Sequence, residues 1–122
     1  MKYIITESQY NKIIDRFISS KFEGFEAKTT SELPNSIFWI KYNEVILEIR
    51  SSGDIWVDKD IWDMISTMFS LDNDGVESAL MNWMKTHQIL KGLSVDPEIF
   101  RASSSYYEMR WQNAIRYIMN ES

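Results

Sequence analysis

Seven carboxylates stand between Asp54 and Glu77: Asp54, Asp58, Asp60, Asp63, Asp72, Asp74 and Glu77, with Lys59 as the one cation among them. The rest of the chain is close to balanced, so this segment carries the formal charge of −5. Three of the carboxylates, Asp58, Asp60 and Asp63, crowd one helix start. Carboxylates in a first helical turn complement the helix dipole, and that alone would account for them. Their second use would be as a docking patch for a basic partner, with Asp54 and Glu77 contributing. A third would be a hard-cation site, and with it a metal-dependent hydrolase built on residues 54–77.

Asp72-Asn73-Asp74-Gly75 has part of the spacing of a calcium loop. With Gly75 on the loop's glycine, Ser70, Asp72 and Asp74 fall on the first, third and fifth ligand positions. The twelfth position, which needs a bidentate Glu, is Met81. The segment therefore reads as a helix cap rather than a metal loop. His87 is the single histidine and lies on an apolar helical stripe. No hydroxyl or acid stands at a spacing that would pair with it as a nucleophile relay. There is no cysteine, which removes thiolate chemistry and disulfides. Phosphate-loop, H-E-x-x-H, G-x-S-x-G and zinc spacings are missing too.

Aromatic residues are the other resource: five Trp, six Tyr and six Phe. In 38–50 hydrophobicity alternates. If Phe38, Ile40, Tyr42, Val45, Leu47 and Ile49 face a core, the opposite face carries Trp39, Lys41, Ile46, Glu48, Arg50 and Trp56. Trp39 and Trp56 beside two cations could anchor a protein partner or stack bases. The competing expectation is that later helices cover this face.

The elements that must hold these residues follow from the periodicity. Thr6-Glu7-Ser8-Gln9 is a capping box with Ile5 and Tyr10 at the staple positions. Tyr10, Ile13, Ile14, Phe17 and Ile18 then make a helical stripe ending near Gly24. A hairpin over 38–50 and a short strand, Ile55-Trp56-Val57, make a three-stranded antiparallel meander. Asp58 caps a helix with Ile61, Trp62, Ile65, Met68 and Phe69 inward. Asp72 or Asp74 caps another, with Val76, Leu80, Trp83, Met84 and His87. Asp96-Pro97-Glu98 starts a short helical turn. Ser105-Tyr106-Tyr107-Glu108 opens a last helix with Trp111, Ala114, Ile115 and Ile118 inward. Clustered strands followed by helices give an α+β domain over residues 1–122.

Met1-Lys2-Tyr3-Ile4-Ile5-Thr6-Glu7-Ser8-Gln9-Tyr10, Val57-Asp58-Lys59-Asp60-Ile61-Trp62-Asp63, Met68-Phe69-Ser70-Leu71 and Trp83 resemble segments of small open reading frames in tailed bacteriophages, marine ones in particular. The resemblance covers about a third of the chain. It implies a viral accessory protein acting in the host cytoplasm, and it brings no catalytic residues with it. With no signal peptide and no membrane span expected, the sequence reads as a non-enzymatic interaction protein without a cofactor. Its partner would be another protein or a second copy, met through Trp39, Trp56, Asp58, Asp60 and Asp63. A nucleic acid is the less expected partner, since no general basic footprint is present.

Overall fold

The computed structural model describes the backbone of residues 7–121 and the side chains of residues 9–120. The capping Thr6 and the staple residue Ile5 lie outside the described residues. The order is α1 (Glu7–Phe22), β1 (Glu26–Lys28), β2 (Ser36–Lys41), β3 (Glu44–Arg50), β4 (Asp54–Asp58), α2 (Lys59–Phe69), α3 (Asn73–Thr86) and β5 (Glu98–Ala102). A C-terminal helix then runs on through three pieces: α4 (Ser104–Tyr106), a π-helical turn (Tyr107–Trp111) and α5 (Gln112–Glu121). The α+β class holds. The sheet, however, has five strands in the order β1-β2-β3-β4-β5, and it is mixed: β4 and β5 are parallel while the other pairs are antiparallel.

The two added strands have different origins. β1 is Glu-Ala-Lys, exposed at all three positions, and carries no hydrophobic alternation to announce it. Its Glu26–Lys28 ion pair puts charge on the sheet edge, a common guard against edge-to-edge pairing. β5 replaces the helical turn expected at Asp96-Pro97-Glu98. Parallel pairing needs a long crossover, and α2 with α3 supplies it. The close approach at its start depends on Gly53, whose φ is +98°. A Cβ there would stand 2.7 Å from the Asp96 carbonyl oxygen, so only glycine lets the β3–β4 turn lie under the strand leading into β5.

Helices cover both sheet faces, so the molecule has three layers and two cores. The first core joins Ile14 and Ile18 of α1, Ile61, Trp62 and Ile65 of α2, and Val76, Leu80, Trp83 and Met84 of α3 to Leu47, Ile49, Ile55, Val57 and Ile99 of the sheet. Each such side chain, fully buried, contributes roughly 1.5–3 kcal/mol. Most of the helical stripes read from the sequence enter this layer, but Ile13, Met68 and His87 of those stripes are exposed. The second core joins Phe38, Ile40, Val45 and Ala102 to Trp111, Ala114 and Ile118 of the C-terminal helix.

One inserted residue decides which side chain enters which core. Ile40 pairs with Val45, but Trp39 pairs with Leu47, leaving Ile46 as an extra residue on β3. A bulge of this kind reverses the face of every residue after it. Val45 therefore joins Phe38 and Ile40 beneath the C-terminal helix, while Leu47 and Ile49 turn to the α1–α3 side. The expected single inward set, Phe38 through Ile49, is split between the two cores, and one member of it, Tyr42, enters neither and is 85% exposed at the hairpin tip. No helix among the described residues is long and apolar enough to cross a membrane.

Candidate functional site

The bulge also settles where the two tryptophans go. Trp39 pairs with Leu47 and packs on the α1–α3 core. Trp56 pairs with Glu48 and packs on the C-terminal-helix core. They lie on opposite faces, so the joint platform expected from strict alternation does not form. Both are half-buried. The Trp56 ring stacks on Phe100 at 4.8 Å and on Tyr106 at 4.1 Å between centroids. Its indole nitrogen is buried without a partner among the described residues.

The acidic residues separate in the same way. Asp63 is held in a two-point ion pair by Arg101 of β5, at 2.9 and 2.8 Å, which draws its carboxyl below the usual range. Asp72 caps α3 by accepting from the Gly75 backbone N–H at 2.8 Å, so the calcium-like segment is a helix start. No group of three or more acidic or histidine side chains among the described residues is disposed to hold a metal. His87 sits at the C-cap of α3, with its Nε2 3.0 Å from Asp15 Oδ1 of α1.

Asp58 and Asp60 stay together. They border a cleft of about 560 Å³ with Glu44, Tyr107 and Glu108. The cleft lies where the parallel strands β4 and β5 end, between the β2–β3 hairpin tip and the C-terminal helix, which is a usual place for sites on parallel strands. Lys59 is its one cation and leans on Asp60 at 3.5 Å. Asp58 caps α2, accepting from the backbone N–H groups of Asp60 and Ile61 at 3.1 and 3.3 Å. Burial still pushes its carboxyl above the usual value, and the charges of Asp60 and Glu44 push the same way. The Tyr107 phenol is raised as well, by burial and then by Glu44 and Asp58. Negative potential is thus concentrated in a partly desolvated cleft, where it acts most strongly on a charge that enters.

The feature that sequence reasoning missed is Glu48. It is 0% exposed at the centre of the second face. Oε1 accepts from Tyr106 (2.7 Å), Trp111 Nε1 (2.9 Å) and Arg110 Nε (3.0 Å). Oε2 accepts from Ser36 (2.7 Å), Arg50 Nε (3.2 Å) and Arg110 Nε (2.9 Å), while Arg110 Nη2 lies 2.8 Å from it as an ion pair and donates to Ser36 Oγ at 3.1 Å. Burial pushes the carboxyl up, but bonds from Arg110, Ser36, Tyr106 and Trp111 outweigh it and hold it below its ordinary value. Arg50 also donates to the Tyr106 hydroxyl at 2.7 Å, and burial followed by Glu48 raises that phenol strongly. The π-helical turn makes this possible, because its i to i+5 bonding lets Tyr106 and Trp111 both reach one carboxylate. Their rings meet edge to face at 5.7 Å. With both oxygens saturated and the charge fixed, Glu48 is an anchor for the C-terminal helix and has no free lone pair with which to move a proton. A charged residue at an alternation position, followed two residues later by Arg50, was the available signal.

Searches against protein-family models, curated proteins and solved structures each gave no match to this chain.

Proposed function

We propose that this domain is a non-enzymatic protein-binding module whose acidic cleft receives a lysine or arginine side chain of a partner. The carrying observation is the set Glu44, Asp58, Asp60 and Glu108 around one cleft that holds a single cation of its own. Carboxylates that repel one another in a partly buried space gain most from an incoming guanidinium or ammonium group. Tyr107 adds an aromatic wall against which the partner's aliphatic stem can lie. The resemblance to small phage reading frames is in keeping with an accessory role of this kind.

The test is calorimetric titration with a capped Lys/Arg hexapeptide, using a Glu hexapeptide as control. The basic peptide should bind saturably and more weakly as salt rises. Replacing Asp60→Asn and Glu108→Gln together should weaken binding about tenfold, a change of about 1.4 kcal/mol. Equal binding of the acidic peptide, or an unaltered affinity in the double variant, would refute the proposal.

A further inference from the structure

On the α1–α3 side of the sheet, two cavities of about 790 and 620 Å³ adjoin at Asp15, Arg16 and Trp83, which line both, and the pair is called the trough. Its α1 wall runs from Asn11 to Phe22, a length of about 16 Å at 1.5 Å per helical residue. Lys12, Arg16 and Lys85 line it at one end. Among the described residues none of the three makes an ion pair, as is also true of Lys21, Lys41, Lys91 and Arg116, whereas Lys28, Arg50, Lys59, Arg101 and Arg110 each have a carboxylate partner. In an acidic protein, unneutralised cations gathered along one groove are a local exception to the net charge. The central carboxylate, Asp15, is engaged by His87 at 3.0 Å. Glu23 at the far rim is the other acidic lining residue among those described.

The far end has a different character. Trp39, Phe25 and the His87 ring line it. Trp39 and Phe25 are both half-buried, and Lys41 Nζ stands 5.9 Å from the centre of the Phe25 ring. Cations that take phosphates, leading to aromatic rings that take bases, are the two ingredients of single-strand recognition. An acidic peptide would use the first and leave the second idle.

We infer that this trough binds a short run of single-stranded nucleic acid, with phosphates along Lys12, Arg16 and Lys85 and a base against Trp39 and Phe25. It is separate from the acidic cleft and independent of the protein-binding reading. The trough exceeds the reach of one nucleotide, which favours a strand over a free mononucleotide.

The test uses the whole chain and four probes: a hexameric oligouridylate, UMP, inorganic phosphate and a Glu hexapeptide, read by amide chemical shifts and tryptophan fluorescence. The hexamer should bind saturably and shift the amides of 11–23 and 39. With three phosphates engaged, log K should fall with log salt at a slope of about −2, or about a hundredfold between 20 and 200 mM. The variant Lys12→Gln/Arg16→Gln/Lys85→Gln changes only exposed, unpaired side chains, so it should fold unchanged, bind at least tenfold more weakly and show a shallower slope. Trp39→Phe should remove most of the fluorescence response. UMP binding as tightly as the hexamer would overturn the strand assignment. Phosphate or the Glu peptide matching the hexamer would overturn the role of the rings. Undiminished binding by the triple variant, or no saturable shift with any probe, would overturn the site.

Discussion

Glu48→Gln is the most informative single substitution. The side chain keeps its shape, but one acceptor oxygen becomes a donating NH₂. Whichever oxygen is replaced, that side of the hub turns donor against donor. On the Oε1 side this meets Tyr106, Trp111 and Arg110; on the Oε2 side it meets Ser36, Arg50 and Arg110. The charge of both arginines also loses its counterpart. Removing one partner of a buried ion pair costs about 3–5 kcal/mol. The lower end applies here, because Arg50 and Arg110 keep 30% and 27% of their side chains in contact with water. A loss of about 3 kcal/mol is a large part of the ~5–15 kcal/mol that holds a domain folded. With a urea slope of about 1.5 kcal/mol/M, the unfolding midpoint should fall by about 2 M.

The pH dependence gives an independent check. Glu48 in the fold titrates below its ordinary value of 4.5. Its contribution is therefore complete above about pH 4.5 and is lost as pH falls through the folded value. The gap between wild type and Glu48→Gln should be full at pH 7 and narrow progressively below pH 4.5. A midpoint change under 0.5 M at pH 7, or a gap that stays constant into acid, would refute the claim that an ionised Glu48 holds the C-terminal helix.

Two further perturbations separate roles that look alike on paper. Asp58 both caps α2 and sits in the acidic cleft; its raised value means that its ionisation opposes folding, so stability should rise as pH falls through that folded value. Asp58→Asn keeps the cap and should leave stability at pH 7 within about 0.5 kcal/mol, while Asp58→Ala should cost about 1 kcal/mol, both read from urea midpoints. Asp63→Asn breaks an exposed two-point pair with Arg101 and should cost no more than about 1 kcal/mol, an effect that 0.5 M salt should largely erase.

The helical layer was legible because its stripes are long and regular: Ile14–Ile18, Ile61–Ile65 and Val76–Met84 all enter the core as their spacing requires. The sheet was legible as a hairpin but not in phase. Val45-Ile46-Leu47 is an unbroken apolar run, and such a run hides which of its members is the extra one. The position of Ile46 moved Trp39 away from Trp56 and sent Glu48 inward, so the candidate site changed with it. β5 was obscured because Asp96-Pro97-Glu98 has the local chemistry of a helix start, while its strand character comes from pairing with distant β4. Asp58 and Asp60 were readable as neighbours on one helix start. Their company with Glu44 and Glu108 was not, since those residues come from the hairpin and the C-terminal helix.

The layer beneath the C-terminal helix has a consequence for how the chain is made. Glu48 and Arg110 are 62 residues apart. At translation rates of about 5–20 residues per second, the carboxylate leaves the ribosome roughly 3–12 s before the guanidinium that neutralises it. During that interval Phe38, Ile40 and Val45 have no cover, and the nascent hairpin offers a sticky surface with a charge at its middle. A solvated Glu48 at that stage would keep the uncovered face wet and discourage premature association, until the final helix arrives to dry it.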